Sequence, residues 1–187
     1  QVEMTLYRIP PTELTKTSPV FRDMFQMPPD GENKPEGMSD DNPILLHSIL
    51  QIDWERLLNV LLHKTYLDPP LDFRIEQWIS VLKLSTLWEM NAVRAVAIKK
   101  IESFDDHARK IDIAREYKIP DYFLPALSQL ITRPQPLSIE DLLYLGLMCC
   151  LKVASIRERV NHYWTDHPRN STNVFWAQRR PSIRRRG

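Results

Sequence analysis

The sequence predicts an α+β fold that is mostly helical, and three observations support this. Two short runs rich in strand-forming or apolar residues stand early in the chain, at 2–9 and 44–46. From residue 53 onward, apolar residues recur at intervals of three and four, which is the period of an amphipathic helix. The length of 187 residues suits one domain with a short extension, because domains usually hold roughly 100–200 residues.

The first predicted elements are a strand, a helix, a loop and a second strand. Residues 2–9 mix β-formers with alternating polarity and stop at two prolines. Ser18 is placed to cap a helix that has Pro19 at its first position. Residues 26–43 hold four prolines, two glycines and five acids, which predicts a solvated loop. The apolar run at 44–46 is consistent with a buried strand.

The middle of the chain is predicted to be helical. Asp53 is placed to cap a helix whose apolar residues follow the helical period. Residues 75–90 are apolar nearly all round, which predicts a central, buried helix that includes Trp78. Asn91 is placed to cap the helix that follows.

Shorter helices are predicted for the last third of the chain. One covers 111–117, and another begins at Asp121. Ser138 and Asp141 resemble a capping box, ahead of a helix that continues through residue 160.

The charge is distributed unevenly along the chain. The formal net charge is +1, but residues 179–187 hold five arginines and no acid. Without these five, 20 basic residues face 24 acidic ones over residues 1–178, a net charge of −4. Only this tail therefore has the positive charge that suits nucleic acid. Its arginines are Arg179, Arg180, Arg184, Arg185 and Arg186.

No catalytic, cofactor-binding or metal-binding residue is predicted. Glycine is scarce, at four residues, whereas phosphate-cradling loops need it for close backbone approach. The five histidines lack metal-ligand spacing, and the acids fall in loops and caps. Cys149 and Cys150 are adjacent, which favours packing and a reducing compartment, the cytoplasm or nucleus. An enzyme is accordingly not expected.

Several short segments, taken in their order along the chain, resemble one protein family. They are LYR at 6–8, SPVFRDMF at 18–25, GMSDDNPILL at 37–46, DWERLLNVL at 53–61, EQWISVLKLSTLWEM at 76–90 and AREYKIPDYFLPAL at 114–127. Together they look like the BTB/POZ domains of basidiomycete fungi. The resemblance implies a small mixed sheet flanked by helical hairpins, with a C-terminal helical extension. It covers about residues 2–160.

The same resemblance implies a domain division and a function. Residues 1–104 would form the BTB/POZ-like domain, with its N-terminal strand truncated, and 105–165 the helical extension. Beyond the region of resemblance, the polar and arginine-rich composition of residues 166–187 predicts a basic, disordered tail. Members of the family are protein–protein interaction modules, often homodimers, and some are adaptors on cullin-type ubiquitin ligases. The expected partners are therefore proteins, including a second copy or a cullin-type scaffold.

Four apolar residues are the candidates for the protein interface. Phe21, Met24 and Phe25 follow the capped start of the helix at Ser18, and Trp54 is the second choice. An alternative function is a transcriptional regulator that touches nucleic acid through its arginine tail while its helical body recruits proteins. No membrane association is expected, since no apolar run approaches the ~20 residues that span a bilayer.

Overall fold

A computed structural model of the chain describes residues 1–27, 36–37, 39–63 and 71–166, with the backbone alone at 164–166. Within these ranges the regular secondary structure consists of helices. The helices are α1 (Pro11–Thr17), α2 (Pro19–Gln26), α3 (Gln51–Leu61), α4 (Ile75–Leu87), α5 (Asn91–Glu102), α6 (His107–Glu116), α7 (Pro120–Thr132), α8 (Ile139–Leu145) and α9 (Leu147–Asp166). The described ranges contain no strand beyond two isolated bridges.

The predicted α+β class is therefore wrong, and with it the BTB/POZ-like mixed sheet. Val2 and Thr5 bond to each other at 3.0 and 2.9 Å, which closes a local turn instead of pairing two strands. The run at 44–46 is not a buried strand either, because Leu45 is 50% exposed. Its backbone contact with the N-terminus includes a bond from Leu46 N to Gln1 O at 2.9 Å. A sheet needs a ladder of such bonds, which these segments do not form.

The chain divides into two compact units. Unit 1 is Gln1–Asp106 and unit 2 is His107–Gly187. The boundary after residue 104 and the separate tail at 166–187 stay predictions.

The core of unit 1 is built around α4, as predicted from its apolar composition. Val81, Leu82 and Leu84 are completely buried, and Trp78 is 3% exposed. α4 packs against α3, which precedes it in the chain, and against α5, which follows it. The prediction of a central, buried helix is confirmed.

Aromatic rings join α2 and α3 to the end of α4. The Phe21 and Trp88 ring centroids are 5.1 Å apart, and Trp54 meets Trp88 edge-on at 5.4 Å. The predicted cap of α2 is confirmed, because Ser18 Oγ accepts a bond from Phe21 N at 3.1 Å. The same hydroxyl donates to Trp88 O at 2.6 Å and so ties the helix start to the aromatic cluster.

Unit 2 has its own core between α6, α7, α8 and α9. The buried residues that form it all come from this unit, and they are Ala108, Ile111, Ala126, Leu130, Leu145, Cys150 and Val153. The capping box at Ser138 and Asp141 is confirmed, with both of its hydrogen bonds present.

Three predicted helix starts differ from the structure. α3 begins at Gln51, so Asp53 lies in its first turn and is not its cap. α5 begins at Asn91 itself, with Met90 in the cap position. α7 begins at Pro120, one residue before the predicted start.

Candidate protein interface

The four predicted interface residues are placed very differently by the structure. Phe21 and Trp54 are 2% and 3% exposed, so their side chains belong to the aromatic core and offer no surface. Met24 is half-buried, and Phe25 is 36% exposed. Of the four, Phe25 has the largest surface available to a partner.

Phe25 lines a cleft in unit 1 of about 800 Å³, together with Leu6, Ile44 and other residues of the N-terminal segment. An exposed ion pair between Arg8 and Asp40 stands at this cleft. Its hydrogen bond to Arg8 lowers the pKa of Asp40, so the carboxyl stays ionised. The charges of this pair offset each other, and the lining of the cleft is polar and apolar in nearly equal parts.

Tyr7 also lines this cleft and is held by α3. Its hydroxyl donates to Glu55 Oε1 at 2.8 Å. Burial and this bond raise the pKa of Tyr7 to about 12. The phenol therefore remains protonated at physiological pH, and it positions the N-terminal segment without acting as a base.

A polar cluster between α3 and α4 is a buried feature that sequence periodicity did not predict. Asp53 is 6% exposed, and it accepts bonds from Ser80 Oγ at 2.6 Å and Lys83 Nζ at 3.0 Å. Arg56 donates to Ser80 Oγ at 2.8 Å. Ser80 and Lys83 satisfy the buried carboxylate, and Arg56 lies 3.7 Å from it as an ion pair. The cluster therefore holds α3 and α4 together.

The start of α8 is fixed by a second buried acid. Asp141 is 5% exposed, it accepts a bond from Ser138 N at 2.7 Å, and it pairs with Arg133 at the end of α7. Burial alone would raise the pKa of Asp141, but the bonds from Arg133 and Ser138 outweigh it and lower the pKa. α8 is consequently held against its unit by its first turn.

The outer side of α8 and the beginning of α9 carry the densest run of exposed apolar side chains in the described residues. Six of them lie between residues 139 and 151, and we call them the α8–α9 surface. They are Ile139 (79% exposed), Leu142 (37%), Leu143 (77%), Leu147 (61%), Met148 (69%) and Leu151 (56%). The inner side of the same helices supplies Leu145, Cys150 and Val153 to the core.

Gly146 lets the two helices follow each other without a linker. Its φ of +75° is a left-handed conformation that glycine adopts without a steric penalty. Its N–H bonds to Leu142 O at 2.9 Å and its carbonyl accepts from Cys150 N at 3.1 Å. Leu143 and Leu147 therefore stand close to each other along the chain, on either side of the turn.

A groove of about 510 Å³ adjoins this surface within unit 2. Phe123, Leu147 and Met148 contribute apolar side chains to it, and Arg115 and Lys152 contribute exposed cations. The groove is thus an apolar depression with positive charge beside it.

A single exposed acid accompanies the apolar side chains of α8. Glu140 lies between Ile139 and the buried Asp141. Within the described ranges, no ion pair involves Glu140, Arg115 or Lys152. All three charges are therefore available to a partner.

The described residues give no support for a metal centre, and no group of three His, Cys, Asp or Glu side chains among them could hold an ion. Burial raises the pKa of the Cys150 thiol, which favours its unreactive form. None of the helices in the described part of the chain has the length and apolar character to cross a membrane. The arginine tail at 179–187 lies outside the described residues.

Comparison with known proteins identifies no relative. No protein-family model matches the chain, and neither a curated protein nor a solved structure matches it. The residues of the α8–α9 surface were not predicted as interface residues. One signal in the sequence could have indicated them. Residues 139–151 have apolar side chains on more than one side of the helices, whereas packing against a core requires a single apolar side.

Proposed function

We propose that this protein is a protein–protein interaction module and that the α8–α9 surface is where it binds. One observation carries the proposal: six large apolar side chains are exposed within residues 139–151. Contiguous exposed apolar patches bordered by charges are typical of binding surfaces. Burying them against another protein removes apolar area from water, which is the main driving force of association.

The rigidity of the surface supports the same function. Asp141 fixes the first turn of α8 through Ser138 and Arg133. Arg157 of α9 donates to Leu130 O at 2.6 Å and to Gln135 O at 2.8 Å, which anchors α9 to the end of α7. A surface that is already ordered loses little conformational entropy on binding.

The resemblance to BTB/POZ domains supports the class of function alone, because the mixed sheet that it implies is absent from the described residues. We propose the cytoplasm or nucleus as the compartment, since both cysteines are free thiols. Adaptor activity on a cullin-type ligase is a narrower form of this proposal, and a transcriptional regulator that touches nucleic acid through its arginine tail is the alternative to it. The identity of the bound protein separates them.

The test is affinity capture from the native cell with three forms of the full-length protein: wild type, Leu143→Asp and Met4→Asp. Met4 is the matched control, because it is 93% exposed but lies in unit 1. We expect the Leu143→Asp variant to lose captured proteins that the Met4→Asp variant retains. Quantitative mass spectrometry would measure this and would show whether a cullin, chromatin proteins or the chain itself is bound.

If all three forms capture the same proteins in the same amounts, the α8–α9 surface is not a binding site and the proposal is wrong. Circular dichroism of each purified variant shows whether a loss of capture reflects unfolding, because Leu143 is 77% exposed and its replacement should leave the helical signal unchanged.

A further inference from the structure

We infer that the groove beside the α8–α9 surface binds an amphipathic helix of another protein, one with acidic residues next to its apolar side. This inference rests on the proposed function, and it adds the chemistry and the secondary structure of the bound segment. Two features carry it: the groove combines uncompensated positive charge with apolar side chains, and the described residues offer no sheet edge to an extended segment.

The positive charge of the groove comes from two separate helices. Arg115 lies in the last turn of α6, and Lys152 lies near the start of α9. Both side chains are exposed, and neither forms an ion pair within the described ranges. The described residues that line the groove include no acid. A carboxylate brought to this groove therefore meets positive charge that no acid of the lining offsets, and that complementarity favours an acidic partner.

The beginning of α9 adds to this positive potential. Leu147, Met148 and Cys149 line the groove, so the first turn of α9 forms part of its wall. The N–H groups of a first turn have no partner within their own helix, and they give that end of the helix a partial positive charge. This first turn contains no acidic side chain that would offset it. The helix end thus has the same sign of charge as the two cations.

The other side chains that line the groove are apolar, which is what the apolar side of a bound helix requires. Leu147 and Met148 are 61% and 69% exposed, and Phe123 is half-buried beside them in the lining. The unbranched side chain of Met148 can change its packing to follow the shape of a partner. Contact with this part of the groove removes apolar area of both proteins from water.

The fold of the described residues favours a helix as the bound segment. An extended segment usually binds by adding a strand to the edge of a sheet, and the described ranges contain no strand beyond two isolated bridges. A polyproline segment binds to a groove lined by aromatic rings, and Phe123 is the one aromatic residue among the described residues of this lining. An amphipathic helix needs only an apolar groove, so it is the form that fits.

Selection of a displayed peptide library against the purified full chain tests the inference. Each peptide has about 18 residues, long enough for a helix, with leucine along one side and glutamate, lysine or glutamine in equal proportions beside it. We expect glutamate to be enriched over lysine by about tenfold or more, because lysine would meet like charge in the groove. Sequencing of the selected peptides measures this ratio. A second library with serine in place of leucine should give no enrichment, since the apolar contact is lost.

Reversal of the charge in the groove gives the sharpest measurement. We expect the Arg115→Glu/Lys152→Glu double variant to enrich lysine over glutamate, and the neutral Arg115→Gln/Lys152→Gln variant to show a ratio within about threefold of one. The matched control is Lys99→Glu/Arg159→Glu, which changes the net charge equally at two exposed positions outside the groove. It should select the same peptides as the wild type. Circular dichroism shows whether each variant is folded, and the neutral variant replaces the reversed one if the latter is not.

A wild-type selection that enriches glutamate no more than lysine overturns the inference. A folded variant with reversed or neutral groove charge that still prefers glutamate as the wild type does also overturns it. If either result occurs while capture still depends on Leu143, the α8–α9 surface binds a partner of different chemistry. In that case the proposed function stands and only the acidic helix is wrong. If capture is also independent of Leu143, both proposals are wrong.

Discussion

At the scale of single residues, buried charge is tolerated here where several donors converge on it. Asp53 illustrates this, because its carboxylate receives Ser80 and Lys83 directly and lies 3.7 Å from Arg56. Burial alone would raise the pKa of Asp53. The bonds from Ser80 and Lys83, with the charges of Lys83 and Arg56, outweigh burial and lower the pKa below its ordinary 3.8.

Asp53→Asn should destabilise unit 1 by about 1–3 kcal/mol at pH 7, because it removes the charge that three donors surround. The lowered pKa means that the carboxylate stabilises the folded state above pH 3.8, and that this stabilisation is lost as the pH falls through the folded-state pKa. The difference in unfolding free energy between wild type and variant should therefore shrink from pH 7 to pH values well below 3.8. Denaturant titrations at both ends of this range measure it.

Asp23→Asn is the control for this experiment. Asp23 is exposed on α2, and its replacement should change the free energy of unfolding by less than about 0.5 kcal/mol. If Asp53→Asn lowers the free energy of unfolding equally at both ends of the pH range, the loss of the carboxylate charge does not cause the destabilisation, and altered packing or hydrogen bonding does.

At the scale of elements, helix starts connect distant parts of the chain. Ser18 Oγ caps α2 and also bonds to Trp88 O, 70 residues away, and the side chain is fully buried. Ser18→Ala should therefore cost unit 1 about 1–3 kcal/mol, since it leaves a buried carbonyl without its donor. Thermal or denaturant unfolding of the variant measures this cost.

Ser103 provides the comparison within unit 1. Its hydroxyl also donates to a backbone carbonyl, that of Lys100 at 2.7 Å, but the residue is exposed and the bond is local. Water can replace that bond, so Ser103→Ala should change stability by less than about 0.5 kcal/mol. Equal losses for the two variants would argue against the tertiary role of Ser18.

The elements that could be predicted are those whose signal is local. The Ser18 and Ser138 caps and the apolar α4 depend on neighbouring residues, and all three are present. The prediction of strands at 2–9 and 44–46 was wrong, because a strand depends on pairing with another strand that its own residues do not specify. Residues 2–5 instead close a turn on themselves, with Glu3 at a φ of +49°.

The candidate site could be predicted only in part, for a related reason. Phe21 and Trp54 are large apolar residues at helical spacing, and periodicity cannot tell the core side of a helix from a binding side. The structure places both in the core and exposes Leu143 and Met148 instead. Which apolar side faces the core depends on how α6 to α9 pack, and that information is tertiary.

At the scale of the whole molecule, each unit has a core made from its own residues. The buried cluster of unit 2 draws on α6, α7, α8 and α9, with Ile111 and Leu130 completely buried at its centre. Residues 107–166 produced alone should therefore fold into a helical unit that melts cooperatively, since domains of about 60 residues can fold independently. Far-UV circular dichroism during heating measures this.

Two substitutions make that experiment decisive. Val153 is 1% exposed, so Val153→Asp should abolish the cooperative transition by burying an unpaired charge, whereas Ser128→Asp, on an exposed site of α7, should preserve it. A fragment 107–166 without any cooperative transition would mean that unit 2 requires the rest of the chain to fold.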